Sequence, residues 1–240
     1  MTVLTGYFSS HLQELRQRLL ISAAAVIGVS ALAYLFSDHL VRFFVSPLFR
    51  AHPDLGKLVY TNLTEAFISY LKISLLVGII GSFPVVCYEL WMFVSPGLHA
   101  HEKRVARRVV FWASLLFAGG IAFAYLVVLP ELLGFLLGFA NQNLEAFPRL
   151  GSYLTFVART ALAFGLAFEI PFLMVMAVKA GLVSGRYFSR QRKYYYLAIL
   201  VLSFLLTVGD LLSAGLLAVP LFGLYEIGLL ISRTVRPREA

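Results

Sequence analysis

Six apolar stretches alternate with shorter polar segments along the chain, over residues 19–36, 64–93, 105–129, 153–178, 194–208 and 211–231. A hydrocarbon core of ~30 Å needs about 20 helical residues, and most of these stretches are that long. None shows the ten-residue alternation of barrel strands. Backbone polar groups in lipid must be satisfied within the segment, so continuous apolar runs predict helices. The pattern therefore predicts an all-α integral membrane protein, with six transmembrane helices in one membrane domain over 1–240. The fifth stretch is short: fifteen residues give roughly 23 Å of helix. Gly209-Asp210 then turns directly into the sixth, which is interrupted at Pro220. That hairpin either sits in a thinned bilayer or stops below the outer surface.

The segments between the runs carry their own signals. Arg16 and Arg18 precede the first run, which is longer than the apolar core of a cleaved leader and reads as a membrane helix. Residues 38–63 are greasy at Phe43, Phe44, Leu48 and Phe49, which predicts a segment on the membrane surface, turned by Ser46-Pro47. Thr64-Glu65 can cap the second helix. Thirty residues there would span about 45 Å, so that helix must tilt, protrude or bend at Pro84; Lys72 near its outer end snorkels or pairs. Gly119-Gly120 permits a close helix approach. After Pro130 the apolar pattern continues to Ala140. One straight helix through both would approach 50 Å, so 131–140 is expected to fold over the outer surface.

Composition sharpens this picture. Of 240 residues, 60% are hydrophobic and 13% charged, with mean hydropathy +0.85. Soluble domains carry about a quarter charged residues, so a soluble protein is excluded. The single cysteine, Cys87, allows no internal disulfide. The net charge of +8 is unevenly placed. On one side lie Arg16, Arg18, Lys103, Arg104, Arg107, Arg108, Lys179, Arg186, Arg190, Arg192, Lys193, Arg233, Arg236 and Arg238; on the other only Arg42, Arg50, Lys57 and Arg149. Fourteen against four predicts cytoplasmic termini by the positive-inside rule. The basicity reflects topology rather than a nucleic-acid site.

Little catalytic chemistry is available. None of His11, His39, His52, His99 and His101 falls within the predicted spans, so neither a metal site nor a histidine-based protease is expected. No phosphate-binding loop is present, and no cofactor is implied. What remains is a set of acids. Glu169 lies inside 153–178, two residues before Pro171, and a carboxylate at that depth must be protonated, paired or turned to a protein interior. Arg159 is ten residues earlier, about 15 Å along the helix, too far for a direct pair. Asp210 is a turn residue and cap, or a functional acid. Glu226 reads as a partner for nearby basic residues. Glu14 and Glu102 each adjoin basic residues, and either form local salt bridges or accept a guanidinium from a partner.

Taken together, HLQELRQRLL at 11–20, SPL at 46–48, FPVVCYELWMFVSPGL at 83–98, HEKR at 101–104, LFAGGIAFAYLVVLP at 116–130, SYLTFV at 152–157, AFGLAFEIPF at 163–172, RQRKYY at 190–195 and LAVPLFGLYEIG at 217–228 resemble the TatC family, the membrane receptor core of the twin-arginine protein translocase. The resemblance spans nearly the whole chain. It implies a concave, glove-like arrangement of six helices, with the fifth and sixth short, in the cell inner (cytoplasmic) membrane. It also implies a receptor without enzymatic activity, binding twin-arginine signal peptides of folded cargo for export powered by the proton-motive force. The family's arginine-receiving acids match Glu102 and Glu14, and Phe93 and Pro47 match positions needed for receptor function. Glu169, with Asp210, would meet the single-span TatA- and TatB-type subunits; further TatC copies and the lipid bilayer are the other implied partners. Many relatives read T-P-P-D and then S-Q after the fifth span. Here the residues are Thr207-Val208-Gly209-Asp210 and Ser213-Ala214, so the aspartate is kept and the prolines and glutamine are not.

A small secondary transporter with Glu169 as an ion or proton relay is the rival reading. No inverted repeat supports it, and few intramembrane polar groups could line a path.

Overall fold

A computed structural model describes residues 2–51, 58–60, 62–94, 103–138, 148–207 and 211–234. Within them the chain is helical: α1 Thr2–Tyr34, α2 Ser37–Ala51, α3 Leu63–Val94, α4 Lys103–Phe123, a π-helical turn Ala124–Val128, α5 Leu129–Leu137, α6 Leu150–Lys179, α7 Gly185–Arg190, α8 Arg192–Leu206 and α9 Leu211–Thr234. Helical stretches over His11–Tyr34, Thr64–Phe93, Ala106–Leu137, Leu150–Lys179 and Leu211–Thr234 are long and apolar enough to cross a membrane. They overlap five of the six predicted spans, with the first starting earlier and the third running further. The sixth prediction, 194–208, falls on α8, whose 15 residues reach roughly 23 Å. His11, expected outside the spans, belongs to the first of them.

Two prolines behave differently from expectation. Pro130 does not send the chain across the surface, because helix continues to Leu137. A proline inside a helix has no N–H to return and its ring crowds the carbonyl four residues back. The turn before it widens instead into the π-helix, where the Leu129 N–H bonds the Ala124 carbonyl, five residues apart. Pro47 likewise does not turn the chain, since α2 runs through it. The carbonyl that Pro47 leaves open is that of Phe43, and the Tyr125 hydroxyl donates to it at 2.6 Å. Tyr125 lies on the π-turn, so the two proline irregularities meet. Its ring stacks on Phe43 at 4.5 Å and 7°, Ser46 Oγ lies 2.8 Å from its hydroxyl, and Tyr153 donates to the next carbonyl, Phe44, at 2.9 Å.

Glu65, expected with Thr64 to cap its own helix, also reaches α6. Its carboxylate accepts the Gly151 N–H at 3.0 Å, satisfying one of the open donors in the first turn of α6. The single-residue bridge between Val59 and Arg149 fixes the approach to that turn.

The chain divides into two compact units, Met1–Val41 with Tyr70–Leu115, and Arg42–Ser69 with Leu116–Ala240. In the first, α1 and α3 pack where α3 has no side chain: a Cβ at Gly78 would collide with Ser30. In the second, α9 packs on α6 and α8. A Cβ at Gly228 would lie 2.9 Å from Pro171 Cα, and one at Gly120 would strike the Phe164 carbonyl. The close approach expected from Gly119-Gly120 therefore belongs to Gly120, as Gly119 faces open space. Phe164, Ala167, Met174, Leu217, Leu221, Tyr225 and Leu229 form the core of this unit.

Candidate functional site

In the first unit the contacts set α1 and α3 antiparallel. His11 stacks on Phe93 with ring centroids 4.5 Å apart and 16° between planes. Seven residues later on α1, Arg18 meets Glu89, four residues earlier on α3. Ser30 then lies against Gly78. Glu14 sits between the first two contacts on α1, and Arg18 donates to its Oε1 through Nε at 3.0 Å and Nη2 at 2.6 Å. The spacing is four residues with the acid N-terminal, the favourable order on a helix. The same guanidinium donates through Nη1 to Glu89 Oε2 at 3.0 Å. Side-chain exposure falls from 36% at Glu14 to 20% at Arg18 and 12% at Glu89.

The local salt bridge considered for Glu14 is thus present, made by Arg18, and it forms one arm of a triad. Glu89 is the member that reasoning from sequence missed. Its signal was visible, a carboxylate within the apolar run FPVVCYELWMFV, but nothing in that run names its partner 71 residues away. Phe93 is half-buried at the same helix end. Pro47 belongs to the second unit, buried within α2 beside the Tyr125 and Tyr153 hydroxyls. Glu102 and Asp210 lie outside the described residues.

Glu169 occupies the middle of α6 and is 7% exposed. Its Oε1 is buried without a hydrogen-bond partner among the described residues. The setting explains the burial. Gly165, one turn before Glu169, faces the Phe117 ring, where an added Cβ would come within 2.7 Å. With Gly120 against the Phe164 carbonyl, this lets α4 and α6 approach closely one turn from the acid. Arg159 is exposed and forms no salt bridge among the described residues. Glu226 is partnered as expected, by Arg192 and by the Tyr196 hydroxyl at 2.5 Å.

The arrangement can bind cations at one place and an incoming polar group at another. A partly exposed carboxylate matches a guanidinium. A buried carboxyl with an open oxygen matches a hydrogen-bond donor brought in by another apolar helix.

Comparison with known proteins agrees across sequence and structure. The family described as Sec-independent protein translocase protein (TatC) matches residues 10–220. A Sec-independent protein translocase protein TatC from Desulforapulum autotrophicum is 40% identical over 226 residues, covering 94% of this chain and 84% of the relative. The protein of the same name from Escherichia coli K12 is 35% identical over 224 residues, covering 93% and 87%. A crystal structure of the twin-arginine translocase receptor TatC superposes with a TM-score of 0.84 at 36% identity, covering 93% of this chain and 98% of the other.

Proposed function

The chain belongs to the TatC family of Sec-independent protein translocase proteins, and from that membership we propose that it is the receptor subunit binding twin-arginine signal peptides of folded proteins. It is a multi-pass membrane protein with a role in protein transport. Glu14 and Glu102 receive the two arginines at the cytoplasmic face, with Phe93 and Pro47 supporting receptor function. One observation carries the reading: Glu14 already holds a guanidinium, that of Arg18, at a partly exposed position on α1. Carboxylates take arginine in two-pronged fashion, and a lysine ammonium makes a poorer match.

Glu169 and Asp210 meet the single-span TatA- and TatB-type subunits, and further copies of the chain complete the assembly. The open oxygen of Glu169 supports a polar contact from such a helix. The charge asymmetry supports cytoplasmic termini in the inner membrane. Family membership implies a receptor without a catalytic step of its own, with export powered by the proton-motive force.

Binding of a labelled signal peptide to the protein in nanodiscs tests this reading. Wild type is expected to bind a paired-arginine peptide well and its paired-lysine counterpart poorly, and Glu102→Gln and Glu14→Gln to lose the paired-arginine peptide. Equal binding of both peptides by all three proteins would overturn it.

A further inference from the structure

We propose that Arg18 is a built-in occupant of the Glu14 site, and that Glu89 is the seat to which it withdraws when an arriving guanidinium takes Glu14. The proposal rests on the reading of Glu14 as an arginine acceptor, and it adds two residues to that site, one that sets its charge and one that sets its selectivity.

The geometry suits an exchange. Arg18 spends Nε and Nη2 on a single oxygen of Glu14 and Nη1 on a single oxygen of Glu89. Glu14 Oε2 and Glu89 Oε1 are not used by it. A guanidinium carries five N–H donors in a fixed fork, so Arg18 can release Glu14 while keeping Glu89. The exposure gradient orders the events. Glu14, the outermost of the three, meets a newcomer first, and Glu89, the innermost, shelters the bond that Arg18 retains. Giving up a partly exposed pair four residues apart on one helix costs little.

Charge explains why the third residue is needed. Glu14 and Arg18 alone are a neutral pair with no net pull on a cation. Glu89 leaves the triad one negative charge in excess, which one incoming arginine neutralises. Arg18 also sets a threshold. A newcomer must replace the two bonds that Glu14 loses, which a guanidinium does and a lysine ammonium, a single point of charge, does poorly. Glu89 and Arg18 are therefore positioning residues.

The test is the affinity of paired-arginine and paired-lysine signal peptides for wild type, Glu14→Gln, Glu89→Gln, Arg18→Gln and the Glu89→Gln/Arg18→Gln double variant, all in nanodiscs. Glu89→Gln is expected to weaken the arginine peptide roughly tenfold, the equivalent of ~1.4 kcal/mol. Arg18→Gln is expected to tighten it about threefold and to narrow the gap between the two peptides, as its competitor is gone. The double variant restores the charge of the single-acid site, so its affinity returns to within about threefold of wild type. A role confined to holding α1 against α3 predicts the opposite, two losses that add in the double variant. That result would overturn the proposal, as would an unchanged affinity in Glu89→Gln. Loss of binding in Glu14→Gln alongside either outcome sinks the exchange and leaves the receptor reading intact. Wild-type binding by Glu14→Gln removes that reading of Glu14 and the exchange together.

Discussion

Glu14 and Glu169 are both carboxylates on long apolar helices, and the two units of the molecule treat them in opposite ways. Only 6% of the most apolar window of α1 is buried, against 39% for α6. A helix with few protein neighbours supplies its acid with a partner from its own next turn, and Arg18 does so for Glu14. A helix deep in a packed unit has backbone and small residues pressed against it, and Glu169 keeps an oxygen without a partner. The difference separates two uses of an acid in a membrane protein. A paired and partly exposed acid can exchange one cation for another. A covered acid with an open oxygen has the capacity to accept a donor brought to it.

The comparison is tested most severely through packing. Gly120→Leu, which would drive a side chain into the Phe164 carbonyl, is expected to cost about 3 kcal/mol or more, read as loss of folded protein on heating in detergent. Gly28→Leu on α1 has open space around it and is expected to change melting by less than about 0.5 kcal/mol. Equal effects would mean that the two units do not differ in packing.

Tyr125→Phe comes next. Removing the hydroxyl strands the Phe43 carbonyl that Pro47 leaves open, for about 1–2 kcal/mol. In a Pro47→Ala background the helix supplies its own N–H, and the penalty should fall below about 0.5 kcal/mol. An undiminished penalty there would sever the link between the two residues.

Replacing Glu169 by Gln removes a buried acid in favour of a neutral amide of the same shape. Stability should hold or rise by up to about 1 kcal/mol, while crosslinking to single-span partner helices declines. A loss of more than about 1 kcal/mol would give the charged carboxylate a structural role and dissolve the contrast with Glu14. The smallest effect is expected for Glu14→Gln, under about 0.5 kcal/mol by thermal melting, because an exposed pair contributes little. Arg18→Gln should cost more, about 1–2 kcal/mol, since it leaves the sheltered Glu89 without its cation.

Much of the fold was legible because transfer to lipid is decided by composition over some twenty residues. Five of six predicted spans overlap long apolar helices, and the short fifth helix could be measured from its sequence. Turn chemistry misled at both prolines. Ser46-Pro47 and Pro130 carry the local signature of a break, yet a helix continues through each when its freed carbonyl finds another donor or its turn widens to a π-helix. The site was legible in part. Glu14 and its salt bridge to Arg18 follow from a spacing of four, but Glu89 entered only with the register of α1 on α3.

The sequence by itself determined that this chain is a multi-span helical membrane protein of the TatC family, where its apolar helices lie, and which acids stand out against them. These are local quantities, summed over a turn or a span. The tertiary structure alone decided that Arg18 bridges Glu14 to Glu89, that Tyr125 answers the carbonyl left open by Pro47, and that α4 and α6 meet closely at Gly120 and Gly165. Each of these depends on which faces of two helices meet. In an apolar environment nearly every face is hydrophobic, so periodicity carries too little contrast to say which one turns inward.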